Sequence, residues 1–377
     1  MSARFVKRLL VAGIVLCCVG RTDAQQPARW TEQAANDWYA RQPWLVGSNY
    51  IPATAINELE MWQDSTFDAA RIDRELAWAE AIGLNVMRVF LHDLLWQHDA
   101  AGFKRRIDEF LRIAGRHHIG VLFVLFDSCW DPSPTLGPQR PPRAGVHNSG
   151  WVQSPGAQAL RDPASYPRLS QYVKDVVSAF GRDARIVGWD IWNEPDNMNT
   201  GSYSNHEPSN KVEIVLGLLP RMFGQARAAH PTQPLTSGVW KGDWSTDEKL
   251  GEMGRIQIVL SDVVSFHGYV KPEEFEQRIR WLERYHRPIL CTEYLARGFG
   301  STFQGALPIA KAHRVAAINW GLVAGKTQTY LPWDSWGRPY VDRDPPVWHH
   351  EIFRTDGTPY DAQETDFIRK IVGRPLG

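Results

Sequence analysis

The sequence predicts an α/β fold, a single (β/α)8 TIM barrel with a long loop after its third strand. Three observations carry this reading. Eight short apolar runs have strand length, the longer stretches between them have helical period, and no Gly-x-Gly-x-x-Gly turn follows the first run. The 377 residues could fill two or three average domains, but barrels of this kind run beyond about 250 residues as one. The strands are predicted at Trp44–Tyr50, Asn85–Leu91, Gly120–Asp127, Ile186–Asn193, Leu235–Val239, Val263–His267, Ile289–Thr292 and Ala316–Leu322. Among the helices, Asp68–Ala81 puts Ile72, Leu76 and Ala79 on one face, with Asp73, Arg74 and Glu75 off it. Phe103–His117, Tyr166–Phe180, Val212–Ala229, Pro272–Tyr285 and Gly305–His313 follow the same pattern, and Asp361–Val372 closes the chain. A doubly wound open sheet is the alternative, and the missing glycine turn argues against it.

The segment from Ser128 to Ser165 breaks the rhythm. It is rich in Pro and Gly, carries Trp130 and Trp151, and shows no clear period. A loop this long is usually functional or disordered, and after a third barrel strand it overhangs the C-terminal face, where barrel active sites lie.

Residues 1–24 read as an export signal: Arg4, Lys7 and Arg8, then the apolar run Leu9–Gly20, then Thr22-Asp23-Ala24 as a small-residue cleavage site. That leaves residues 25–377 as one exported domain, periplasmic or secreted, with no apolar run long enough for a membrane span. Lys plus Arg and Asp plus Glu balance at 42 each, so the strong basic excess of a nucleic-acid-binding chain is missing. Two cysteines remain, Cys129 and Cys291, whose spacing fits neither a disulfide framework nor a zinc site; their pairing with each other stays open, with two free buried thiols the favoured reading. The 17 tryptophans exceed what a core needs, and indole rings stack well on sugars and other flat ligands.

Two strands end in a glutamate. Gly188-Trp189-Asp190-Ile191-Trp192-Asn193-Glu194-Pro195 is a strand stopped by proline, and Pro288-Ile289-Leu290-Cys291-Thr292-Glu293 is an apolar strand with the carboxylate last. At the ends of the fourth and seventh strands, Glu194 and Glu293 face each other across one barrel mouth. Two carboxyls about 5–5.5 Å apart are what retaining glycoside hydrolysis requires: one acid for the leaving oxygen, one nucleophile for the anomeric carbon. Two like charges at that range resist joint ionisation, so one of the pair is expected to stay protonated.

With these motifs the chain resembles a clan A glycoside hydrolase and is most similar to the cellulase-like glycoside hydrolase family 5. The resemblance spans Trp44 to Trp336. It implies Glu194 as acid/base and Asn193 as donor to the substrate 2-hydroxyl, from the match of Asn193-Glu194-Pro195 to the family's Asn-Glu-Pro. It implies Glu293 as nucleophile, supported by Arg88 late in the second strand and by Tyr269 of His267-Gly268-Tyr269 on the sixth. His267 then sits as a sugar-site histidine, and Trp320 on the eighth strand floors the sugar site. The histidine that many members carry after strand three is replaced by Asp127-Ser128-Cys129-Trp130. Asn49-Tyr50 and His92-Asp93, at the ends of the first two strands, are second-tier substrate contacts.

Trp130, Trp151, Trp240, Trp244, Trp333 and Trp336 all follow predicted strands. Exposed, they would form stacking subsites; buried, they would only fill long loops. Trp189 and Trp192 alternate faces, so one is expected to pack outward under a helix. The pairs His117-His118 and His349-His350 are read as solvated, and no His-x-His on the first strand suggests a metal. The expected activity is retaining hydrolysis of a β-linked poly- or oligosaccharide of the β-1,4-glucan, mannan or xylan class, with a carbohydrate as partner and no cofactor. A transglycosylase on the same scaffold and a non-catalytic carbohydrate-binding barrel are the alternatives.

Overall fold

A computed structural model describes residues 28–373; the predicted export signal lies outside them. The eight strands are β1 Val46–Asn49, β2 Val86–Phe90, β3 Gly120–Val124, β4 Ile186–Asp190, β5 Leu235–Thr236, β6 Val264–His267, β7 Ile289–Glu293 and β8 Ala316–Trp320. They pair in parallel in the order β5-β4-β3-β2-β1-β8-β7-β6. The remaining seam, β5 to β6, is closed by Asp262 N to Leu235 O at 2.8 Å, Val239 N to Ser265 O at 3.0 Å and His267 N to Val239 O at 3.0 Å. The sheet therefore shuts on itself as the predicted barrel.

The helices in chain order are α1 Glu32–Ala40, α2 Glu58–Trp62, α3 Ala69–Ala81, α4 Asp93–Arg116, α5 Ala157–Arg161, α6 Tyr166–Phe180, α7 Lys211–Ala228, α8 Glu252–Leu260, α9 Pro272–Glu283, α10 Phe303–Ala312 and α11 Ala362–Val372. All seven predicted helices are present. Asp68 caps α3 by accepting from Arg71 N, and Ile72, Leu76 and Ala79 are buried as the period requires. Glu75 departs from expectation: it is buried, because it accepts from Tyr50 Oη at 2.8 Å, Ala53 N at 3.1 Å and Arg71 Nε at 2.5 Å. It ties α3 to the loop after β1. Helix α4 starts ahead of the predicted Phe103, with His92 as cap, and breaks at Asp99 (φ −149°). Helices α1, α2, α5 and α8 were not read from sequence; α2 and α5 are single short turns, and α8 has no side-chain cap and buries only Met253, Gln257 and Ile258.

The interior of the barrel has two storeys. At the N-terminal end Leu45, Val86, Leu122, Val263, Leu290 and Ile318 form an apolar plug, sealed from below by Trp38 and Tyr39 of α1. Toward the C-terminal end the inward side chains turn polar: Asn49, Arg88, Asp190 and Glu293 are all buried there. The functional side chains stand on that apolar base, at the barrel end where such sites form.

Candidate active site

Arg88 organises the polar storey. Its Nη1 donates to Glu293 Oε1 at 2.7 Å and to Asn49 Oδ1 at 2.8 Å. Its Nη2 donates to Asn193 Oδ1 at 2.7 Å and Asp190 Oδ2 at 2.8 Å, and its Nε reaches Asp190 again at 3.1 Å. One fully buried guanidinium thus offsets two buried carboxylates and fixes strands β1, β2, β4 and β7 in register, a use of the planar five-donor fork that lysine could not copy.

Glu293 is brought inward by an irregularity. The β6–β7 register shifts between Phe266 and His267, so that His267 pairs with Glu293. Its second oxygen, Oε2, accepts from Tyr269 Oη at 2.9 Å. Glu194 is aimed by another irregularity, a left-handed backbone at φ +44° that few non-glycine residues adopt. Its Oε2 accepts from Asn197 Nδ2 at 2.7 Å and from the Cys129 thiol at 3.2 Å, and its Oε1 lies 2.9 Å from His267 Nδ1. One carboxylate oxygen of each glutamate and a ring nitrogen of His267 lie within 4.8 Å of one another.

Burial pushes both glutamates above the ordinary carboxylate range, but their partners differ. On Glu293 the Arg88 cation and the Tyr269 hydroxyl pull back toward ionisation; on Glu194 the Cys129 thiol, the Asn197 amide and, from further off, Arg88 do so, while Asp196 raises it further. Burial, ahead of the like charge invoked from sequence, is the leading cause for Glu194. A guanidinium 2.7 Å from Glu293 favours its ionised form. Burial drives His267 down to about 4, so it is neutral near pH 7 and shares a proton with Glu194 without adding charge. The same three groups have spacing a metal ion could use, but Arg88 and Tyr269 already engage both oxygens of Glu293, and the cation opposes a second positive charge.

A cavity of about 430 Å³ opens above these groups. Of the residues singled out in the sequence, Asn193, Glu194, Tyr269, Glu293 and Trp320 line it. Trp130, Trp240, Trp333 and Trp336 line it too, whereas Trp151 and Trp244 are buried behind it. Arg88 and His267 act from beneath, through the glutamates. Asn49 and His92 do not line the cavity. Asn49 donates to Thr292 O and Asn319 O and accepts from Arg88, while His92 is fully buried as the cap of α4, its Nδ1 accepting from Leu94 N. Both hold the scaffold. Trp189 and Trp192 are both buried away from the cavity, stacked on Phe123 and packed on Phe126.

The His349-His350 pair corrects the sequence reading: both rings are buried, with centroids 4.4 Å apart, and His350 lines the cavity. They lie in irregular chain, where adjacent side chains need not diverge. His118 is exposed as expected, and His117 is half-buried between Asp73 and Glu80. Cys129 and Cys291 are free; Cys291 is buried, but Cys129 lines the cavity beside Glu194. Asp127 was missed as a site residue. It accepts from Asn193 Nδ2 at 2.9 Å and Trp151 Nε1 at 2.6 Å, fixing the Asn193 amide, and burial lifts it to about 6.

No family model matches the chain, and no curated protein sequence matches it. Solved structures do share its fold. A family 5 subfamily 18 glycoside hydrolase from Streptomyces cattleya, in complex with GlcNAc, is 14% identical with TM-score 0.58, covering 88% of this chain and 80% of that one. The exo-beta-1,4-mannosidase Op5Man5 from Opitutaceae bacterium strain TAV5 is 16% identical with TM-score 0.58, over 87% of this chain and 59% of that one. An endo-1,4-beta-D-mannanase from Thermotoga petrophila RKU-1 is 14% identical with TM-score 0.53, over 87% and 99%. The fold is thus the barrel that these glycoside hydrolases also have. Folds host many chemistries, so the reaction is argued from the site.

Proposed function

We propose that this chain is a retaining β-glycoside hydrolase acting on a neutral β-linked glycan. The observation that supports it most is the pair of buried glutamates, brought within 4.8 Å and set in unequal surroundings. Glu194, raised by burial, donates its proton to the glycosidic oxygen as the bond to the anomeric carbon breaks. Glu293, held ionised by Arg88 and aimed by Tyr269, forms the glycosyl ester from the opposite face. Esterification removes the charge on Glu293, so Glu194 ionises more readily and takes a proton from the water that opens the ester. The Asn193 amide, oriented by Asp127 and Arg88, is placed to donate to the 2-hydroxyl.

The choice of a neutral substrate follows from the lining. Among the described residues no Lys or Arg lines the cavity, and burial keeps His147 (about 4) and His350 (well below the usual value) uncharged. A uronate would meet two carboxylates and no free cation. The loop cations Arg140 and Arg143 are turned to Asp131 and to the Trp336 ring. Among neutral glycans a β-mannan type is favoured, because the similar folds include mannosidases and mannanases. Export after cleavage of residues 1–24 would bring the enzyme to such material.

The test is a panel of aryl β-glycosides given to wild type, Glu194→Ala and Glu293→Ala. Loss in Glu293→Ala, with azide rescuing Glu194→Ala as a β-glycosyl azide, is the expected result. Turnover surviving both substitutions would assign the chemistry to other residues.

A further inference from the structure

The hydrolase reading leaves open where along a glycan the bond is cut, and the loops around the cavity bear on that. In the sheet, β3 and β8 flank β2 and β1. Their loops meet above that pair. The Trp130 and Trp336 rings stack at 5.5 Å and 7°. His147 N donates to Ser335 Oγ at 2.9 Å, Gly145 N to Gln328 Oε1 at 3.0 Å, and Asn148 N to Thr327 O at 2.8 Å. Contact is closest at Gly145, which has φ +70°; a Cβ there would fall 2.5 Å from the Tyr340 backbone. The loop after β4 joins the same wall, with Tyr203 Oη donating to Ser149 O at 2.8 Å and its ring 5.4 Å from Trp336.

The wall therefore runs without a break from the β8 loop to the β4 loop. On the remaining side stand Trp240 after β5, held by Asp196 at 2.7 Å, and Tyr269 after β6. Chemistry fixes which part of the substrate lies where. The leaving oxygen must sit at Glu194, so the aglycone extends toward neighbouring Asn197 and Trp240. The ring attacked by Glu293 then lies over Trp320, against His147 and His350 of the wall.

Resting on the hydrolase reading, we infer that the enzyme is exo-acting: the joined β3, β4 and β8 loops seal the glycone end, so it removes terminal sugars from the non-reducing end of a neutral β-linked chain. The long β3 loop is thus the element that decides the mode of cleavage.

The experiment compares aryl β-mannosides, β-glucosides and β-xylosides, each as the monosaccharide and as the β-1,4-trisaccharide, with the full-length chain. For the sugar that is accepted, direct aryl release from the monosaccharide should exceed that from the trisaccharide on the order of 100-fold in kcat/KM. Trp336→Ala, which opens the wall, should narrow this gap by about tenfold. A trisaccharide cut at the aryl bond as fast as or faster than the monosaccharide overturns the exo assignment while leaving the hydrolase reading intact. A whole panel left uncut overturns the hydrolase reading itself.

Discussion

Glu351 offers the sharpest test of the site's electrostatics, because it stands without a cationic partner beside Trp320 of the cavity lining. It is 1% exposed and shares a small cavity with Trp320 and Trp151. Thr329 Oγ1 donates to its Oε1, its Oε2 has no partner, and burial lifts the carboxyl from 4.5 to about 8. The native state therefore holds this proton up to about pH 8, whereas the unfolded chain releases it near 4.5. Stability from this group is intact below pH 4.5 and is lost as pH rises toward 8. At about 1.4 kcal/mol per pH unit, the native state loses about 5 kcal/mol across that window, a large share of a typical domain's stability. Glu351→Gln keeps an acceptor for Thr329 and cannot ionise. Urea unfolding of both proteins should give curves within about 1 kcal/mol at pH 4, with the variant more stable by several kcal/mol at pH 8.5. A difference that stays constant across this range, or a variant weaker than wild type at pH 8.5, would refute the reasoning. Glu58, also buried and unpaired, is present in both proteins and cancels.

Further predictions concern the polar storey. Arg88→Ala leaves Asp190 and Glu293 buried without their cation and should cost about 3–5 kcal/mol in urea unfolding; Arg88→Lys should recover part of the stability but less of kcat. Tyr269→Phe removes one hydrogen bond to Glu293, the proposed nucleophile, and should lower kcat/KM on an aryl glycoside by roughly 10- to 100-fold with the fold intact by circular dichroism. Asn197→Ala removes a donor that favours the ionised form of Glu194, so the alkaline limb of the kcat profile should move to higher pH; a limb that moves down or stays put would show that Asn197 does not tune the acid.

Much of the architecture is legible in the residues because its causes are local. All eight strands lie where short apolar runs lie, and seven helices where a 3.6-residue period does, since burial of one face is what both patterns encode. Glu194 and Glu293 are legible too, because position at a strand's C-terminal end in a barrel already implies position at the mouth, whereas Arg88 and Tyr269 came only with the resemblance to family 5. What escaped had no local signal. Glu75 looks like a surface residue of α3 until Tyr50 and Ala53 reach it from another element. His349 and His350 look solvated until the β8 loop folds back over Leu295 and Trp333. Asn49 and His92 occupy strand ends yet turn to the scaffold.

By itself the sequence determined a barrel, its strand ends and the two carboxylates at its mouth, since periodicity and strand order are properties of neighbouring residues. Tertiary structure alone decided that Glu293 faces inward through a register shift, that Glu194 is aimed by a left-handed backbone, and that burial rather than like charge chiefly raises it. It alone joined Gly145 to Tyr340 and Trp130 to Trp336, closing one end of the cavity. The two loop contacts join residues almost two hundred positions or more apart, and the register shift joins two separate strands, so no local pattern records their energies.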